Sequence, residues 1–364
     1  MGVTVVVGGQ YGGEGKGKIV SYLSMRDEAH YVVRCGGPNS GHTVNLSGKI
    51  YQLRLLPAGF VNNRTRLLLP AGALVNPRIL LDEINLCEVE PSRVGVDFNV
   101  GIITEREISY ETQLRLRHNI GSTLSGTGAA VAKRVLRDGS FILAKDVVQL
   151  RPFLTNVSEE INVAIDAGKY IIVEGTQGFG LSLYHSECYP YATSRDTTAS
   201  AFLSEIGISP LRVEHIIMVT RTYPIRVGGN SGPLKDEVSW EQLRRLSGYP
   251  YEIAEYTTAT KRLRRVALFD WDLVRRAAKV NRPTQIALHG LDYTDYRNKG
   301  VTTFDDLTKS AKEFVEAVEQ ELNVKVTFVG TGPTNEELID RRGSLFGEIS
   351  QRWASQRLTI GERA

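Results

Sequence analysis

The segment that most restricts the fold of this chain is Gly8-Gly9-Gln10-Tyr11-Gly12-Gly13-Glu14-Gly15-Lys16-Gly17-Lys18. It follows a β-branched run at residues 3–7 and leads into apolar residues at helical spacing over 15–24. Strand, glycine-rich turn and helix in that order place backbone N–H groups and a helix N-terminus around one point, an arrangement suited to phosphate oxygens. Gly12 through Lys18 satisfies G-x-x-x-x-G-K, but Ile19 stands where a Walker A loop has the Ser or Thr that holds Mg²⁺, so the loop is a relative of that motif rather than an instance of it.

The rest of the chain supports an α/β fold with a mostly parallel central sheet flanked by helices, a P-loop-related arrangement. Short apolar runs at 31–34, 170–174, 214–220, 285–288 and 325–329 read as further buried strands. Helical spacing of apolar residues at 76–86, 146–167, 271–280 and 304–322 supplies crossovers between them. No internal repeat or Pro/Ser linker divides the chain. We therefore expect one elaborated domain over residues 1–342 and a C-terminal extension over 343–364, part amphipathic and part polar.

Composition excludes several classes. A net charge of +3 over 364 residues, with acids and bases interspersed, argues against a nucleic-acid binder. The three cysteines, Cys35, Cys87 and Cys188, are far apart and offer neither a disulfide framework nor a CxxC site, which suits a reducing compartment. There is no basic leader and no apolar stretch near the roughly 18 residues of a membrane span. The expected location is cytoplasmic, with no membrane partner, in the host cytoplasm if the protein is viral.

The glycine-rich run resembles the adenylosuccinate synthetase signature G-x-Q-W-G-D-E-G-K-G-K, and further blocks follow in family order. These are Gly36-Gly37-Pro38-Asn39-Ser40-Gly41-His42-Thr43, Ile120-Gly121-Ser122-Thr123, Glu174-Gly175-Thr176-Gln177-Gly178, Tyr189-Pro190-Tyr191-Ala192-Thr193-Ser194 and Gly330-Thr331-Gly332-Pro333. The resemblance implies a ligase in which a nucleoside triphosphate phosphorylates the purine C6 oxygen and the amino group of L-aspartate then displaces phosphate, with Mg²⁺ as cofactor. Phosphoryl transfer depends chiefly on positioning and charge neutralisation, which accounts for the wealth of Gly, Lys and Arg.

Residue roles follow from the same resemblance. Lys18, His42 and Gln177 fall at the reacting oxygen, with His42, expected in a loop after the second strand, donating to the departing phosphoryl oxygen. A pKa near neutrality would suit that task. Gln177 would hold the purine O6. Gly12, Gly15, Lys16, Gly17, Gly41, Thr43, Asp292 and Gly332 fall at the triphosphate, and the Gly41 carbonyl at the metal. Gly13, Asn39, Ser122, Thr123, Thr193 and Arg262 fall at the purine monophosphate. Arg137 is expected to reach that phosphate across the interface of a homodimer. The run 257–265 resembles the aspartate loop T-x-T-G-R-x-R-R, with Thr260, Arg262 and Arg264 at the dicarboxylate, the two arginines on one side of an extended loop. Lys261 stands in place of its glycine. His289-Gly290-Leu291-Asp292 resembles the guanine-reading T-K-L-D, but Gly290 replaces the lysine, so ATP is as suitable a donor as GTP.

One departure bears on the substrate. The family has an aspartate, its general base and a metal ligand, where this chain has Gly13, which can neither take a proton nor ligate through a side chain. The bacteriophage N6-succino-2-amino-2′-deoxyadenylate synthases, a branch acting on dGMP for 2-aminoadenine DNA, resemble this chain in having a small residue there. The expected substrate is therefore dGMP. The alternatives are IMP with GTP, as in ordinary adenylosuccinate synthetases, or a nucleotide-binding module or inactive homologue.

Overall fold

The computed structural model describes residues 2–46, 48–257 and 261–345; Thr260 and most of the expected C-terminal extension lie outside them. Among the described residues the chain builds a ten-stranded sheet. From one edge to the other its strands are Leu338–Asp340, Val326–Gly330, Gln285–His289, Val213–Arg221, Val3–Gly8, Ile171–Glu174, Tyr31–Arg34, Arg66–Leu69, Val94–Asp97 and Leu154–Thr155. The Leu338–Asp340 edge is antiparallel to its neighbour and the other pairs are parallel.

A parallel sheet must be covered on both faces, and the first strand shows how its sequence meets that need. Val3, Val5 and Val7 enter one apolar layer, packed with Phe202, Ile206 and Leu273, while Val6 enters the other with Ile19, Leu23 and Phe60. The six strands expected from sequence all lie in this sheet. Residues 146–167 do not form the single expected helix. Pro152 has no N–H to continue a helix, and Asn156 caps a new one, its side chain accepting from Glu159 N, so that 3-10 turns over Val148–Phe153 precede the helix Val157–Asp166.

Strand order places the first strand centrally, and the C-terminal ends of its parallel neighbours bring Glu174, Arg34, Arg221, His289 and Gly330 to the edge where the glycine-rich loop emerges. That edge is where open α/β sheets bind ligands. No helix among the described residues is long and apolar enough to cross a membrane.

Candidate active site

The loop is folded around its own carboxylate. Buried Glu14 accepts from Gln10 N at 3.1 Å and Gly12 N at 2.8 Å, and its other oxygen takes Lys16 Nζ at 2.8 Å. Lys16 also donates to the carbonyl of Gln177, a residue held at φ +58°. Gly15, at φ +98°, caps the helix Lys16–Arg26, whose first N–H groups thus face the cavity. Lys18 donates to the carbonyls of Gly332 at 2.8 Å and Glu337 at 2.9 Å. Burial brings its ammonium down to about 8, against the opposing pull of Glu337 and Asp292.

His42 opens the strand His42–Leu46 of a hairpin instead of lying in a loop. Its Nδ1 approaches Glu174 Oε1 to 3.2 Å, but neither ring nitrogen has an aligned hydrogen-bond partner. Burial first, then the Arg34 guanidinium, holds the imidazole well below its usual range against a raising contact with the Leu56 backbone, a direction that favours the neutral ring. Glu174 itself is taken by Arg34 Nη1 at 2.7 Å and Ala58 N at 2.8 Å.

These groups line a cavity of about 580 Å³ with Gly13, Gly15, Gly17, Gly41, Thr43, Asp292 and Gly332. Its far wall contains an ion pair that no local sequence signal marks: Arg221 grips Glu255 with both terminal nitrogens and reaches the Gly13 carbonyl at 3.3 Å, while Tyr293 Oη donates to Glu255 at 3.1 Å. Asp292 is already engaged, accepting from the hydroxyl of Tyr249. Arg264 lies across the loop: a Cβ on Gly13, whose φ is +71°, would fall on Arg264 Nη1 and within 2.9 Å of Ile225 Cδ1. The volume freed by the glycine is thus filled by a guanidinium in the free protein.

A second cavity, of about 530 Å³, is lined by Asn39, Ser122, Thr123, Gln177 and Thr193, while Gly13 and Arg262, expected at the same ligand, line other cavities. Tyr11 and Arg226 share the second cavity. The Arg226 guanidinium lies 4.7 Å above the Tyr11 ring and is fixed by donation to the carbonyls of Pro233 and Tyr191, each at 2.8 Å. Asn39 donates to Thr193 Oγ1 at 3.3 Å. The loop borders both cavities, Gly13 lining the first and Tyr11 the second.

Arg262 and Arg264 do not converge. Arg262 lines a smaller pocket with Arg54, Asn76 and Thr123, whereas Arg264 belongs to the large cavity. Lys261 sits at φ +52° and an isolated bridge joins Tyr256 to Leu263, so Arg262 and Arg264 do not lie on a plain extended strand in which alternate residues share a side. Arg137 lines none of these cavities. It ends the helix Thr127–Leu136 at the surface, beside exposed Val135 and Leu136.

The sequence profile described as Adenylosuccinate synthetase matches residues 5–145 and 142–299. The adenylosuccinate synthetase of Methanocaldococcus jannaschii is 45% identical over 94% of this chain and 97% of its own length. That of Pyrococcus horikoshii is 44% identical over 94% and 99%. The chain belongs to the adenylosuccinate synthetase family. The fully ligated Plasmodium falciparum adenylosuccinate synthetase shares the fold, with a TM-score of 0.84 at 22% identity over 93% of this chain and 100% of that one. The cyanophage S-2L succinoaminodeoxyadenylate synthetase, solved with dGMP and with dATP as energy donor, superposes with a TM-score of 0.77 at 26% identity over 93% and 95%. As an adenylosuccinate synthetase homologue the protein is a ligase that forms a C–N bond with a nucleoside triphosphate. Adenylosuccinate synthetases use Mg²⁺. Among the described residues no group of three or more His, Cys, Asp or Glu gathers to hold a metal and the loop carboxylate Glu14 is committed to three donors, so a backbone carbonyl such as that of Gly41, which lines the cavity with Lys16 and Lys18, would be the protein's contribution beside substrate phosphates.

Proposed function

We propose that this ligase joins L-aspartate to C6 of dGMP, with ATP as donor, giving N6-succino-2-amino-2′-deoxyadenylate, ADP and phosphate. The observation that carries this reading is Gly13, in the position of the family's aspartate, with the guanidinium end of Arg264 and the Ile225 methyl in the space beside it. A guanidinium on a flexible stem can turn away toward an incoming aspartate carboxylate, leaving room for the guanine 2-amino group. The dGMP-bound cyanophage enzyme is an independent support. The names of the archaeal relatives favour IMP instead, and residue 13 is where the two readings part.

In the mechanism this implies, the large cavity takes the triphosphate against Lys16, Lys18 and the helix N-terminus, and Asn39, Ser122, Thr123 and Thr193 hold the monophosphate. The Gln177 amide orients the purine O6. This oxygen attacks the γ-phosphorus and ADP departs; the N1 proton passes to water or a phosphate oxygen, since Gly13 offers no base and the loop carboxylate Glu14 is held by Lys16 and two loop N–H groups. Neutral His42 donates a hydrogen bond to the transferring phosphoryl group. The Gly41 carbonyl and substrate oxygens would hold Mg²⁺, which would supply charge neutralisation there. The aspartate amine then adds to C6 and phosphate leaves, with Arg264, and Arg262 once the loop closes, on the carboxylates. Tyr249 already donates to one oxygen of Asp292 and so competes with a guanine edge for that carboxylate, which favours ATP over GTP. Arg137, exposed and remote from its own cavity, serves the phosphate of a second subunit in a homodimer.

Purified protein supplied with dGMP, L-aspartate, ATP and Mg²⁺ should yield a product of the combined dGMP and aspartate masses less one water, with one ADP formed per product. Turnover with IMP but not dGMP, read by mass spectrometry, would overturn the substrate assignment.

A further inference from the structure

His289 ends the central strand Gln285–His289 at the sheet edge that carries the glycine-rich loop. Its ring is wedged between two backbones. A Cβ on Gly15, the residue capping the helix Lys16–Arg26, would lie 3.3 Å from ring atoms Cε1 and Nδ1, and one on Gly330 would lie 2.6 Å from Nδ1. The imidazole is therefore fixed, and it is only 8% exposed. It nevertheless lines the large cavity, and among the described residues its Nε2 has no hydrogen-bond partner. Buried polar side-chain atoms are ordinarily paired, so a buried and orphaned nitrogen on a fixed ring beside the cavity marks a missing partner.

The surroundings define that atom. The nearest charges acting on the ring are the cations Lys18 and Arg221, which together with burial keep it neutral. The helix N-terminus adjoins it, with Gly15 as its cap. With its proton on Nε2, a neutral imidazole among these cations and helix N-terminal N–H groups complements an anionic oxygen. An apolar side chain would fill the same gap without leaving a nitrogen unpaired.

We propose that His289 is a phosphate-binding residue for the donor nucleotide, its Nε2–H donating to a non-bridging oxygen of the triphosphate chain. The assignment rests on the loop as the triphosphate site and is independent of which purine accepts the phosphoryl group. It gives a role to a residue standing where the resembling T-K-L-D segment has threonine, a shorter hydroxyl donor.

The test uses inorganic tripolyphosphate with Mg²⁺, by titration calorimetry on the full chain, alongside the KM for ATP. In His289→Asn the amide falls near the position of Nδ1. In His289→Gln it reaches toward that of Nε2. His289→Asn should weaken tripolyphosphate binding and raise the KM for ATP by roughly 10- to 100-fold, the size of one hydrogen bond to a charged group. His289→Gln should recover most of that loss, and the KM values for aspartate and the purine monophosphate should hold. Tripolyphosphate binding unchanged in His289→Asn, or equal losses in the Asn and Gln variants, would refute the assignment. Failure of the unaltered protein to bind tripolyphosphate would refute the loop reading together with it.

Discussion

Replacing Gly13 by aspartate perturbs the feature on which substrate choice depends. At φ +71° a side chain costs about 1 kcal/mol, less for Asp than for most residues, so a melting temperature lower by roughly 2 °C is expected. Any Cβ there displaces Arg264, and a carboxylate then captures its guanidinium. Loss of one charged hydrogen bond to substrate should raise the KM for aspartate by about tenfold or more. For IMP, a restored general base is worth roughly 10²–10⁴-fold in rate. For dGMP, the new side chain refills the space offered to the 2-amino group. The ratio of kcat/KM for dGMP over IMP should therefore fall by about 100-fold or more. Gly13→Ala carries the strain and displaces Arg264 without adding an acid; it should raise the KM for aspartate yet leave IMP unused. Steady-state kinetics on both purines decides the matter, and an unchanged purine ratio in Gly13→Asp would refute the role given to residue 13.

Four other outcomes follow from the geometry. Lys18 has its pKa lowered to about 8 from 10.5, so the unfolded chain binds more protons between those values and the free protein gains stability as pH rises through that window. Triphosphate affinity should fall over the same interval as the ammonium is lost, and Lys18→Met should abolish that alkaline limb in the KM for ATP. His42→Asn should reduce kcat by roughly 10²–10⁴-fold, with little change in KM or melting temperature. Glu14→Ala strands Lys16 and two loop N–H groups and should cost about 3 kcal/mol in denaturant unfolding. Tyr249→Phe removes the hydroxyl engaging Asp292 and should raise the use of GTP relative to ATP by about tenfold in a donor competition assay.

Where sequence and structure agree, the signal was local. Val3–Gly8, the glycines and Lys16–Arg26 are set by β-branching, turn geometry and helical periodicity within a few residues of one another, and the buried parallel strands are continuous apolar runs. Strands such as Val94–Asp97, interrupted by Gly95, have too little pattern to stand out, and their pairing depends on neighbours far along the chain. The same limit applies within the site. Arg34, Glu255, Tyr249 and Arg221 acquire their roles from partners that only strand order brings close: Glu174 and Arg34 are 140 positions apart, and Arg221 contacts Gly13 across 208. The protonation of His42 was illegible for the same reason, since burial beside Arg34 is a tertiary property. Spacing alone put Arg262 and Arg264 on one side, but the turn at Lys261 sends them to different cavities.

A single-vessel competition tests the central claim most directly. Equal concentrations of dGMP and IMP compete for the protein in the presence of L-aspartate, ATP and Mg²⁺, and the two succinylated products are counted by mass at low conversion. The account predicts that the 2-amino-2′-deoxy product dominates. A mixture dominated by adenylosuccinate would contradict it and return the protein to ordinary inosinate chemistry.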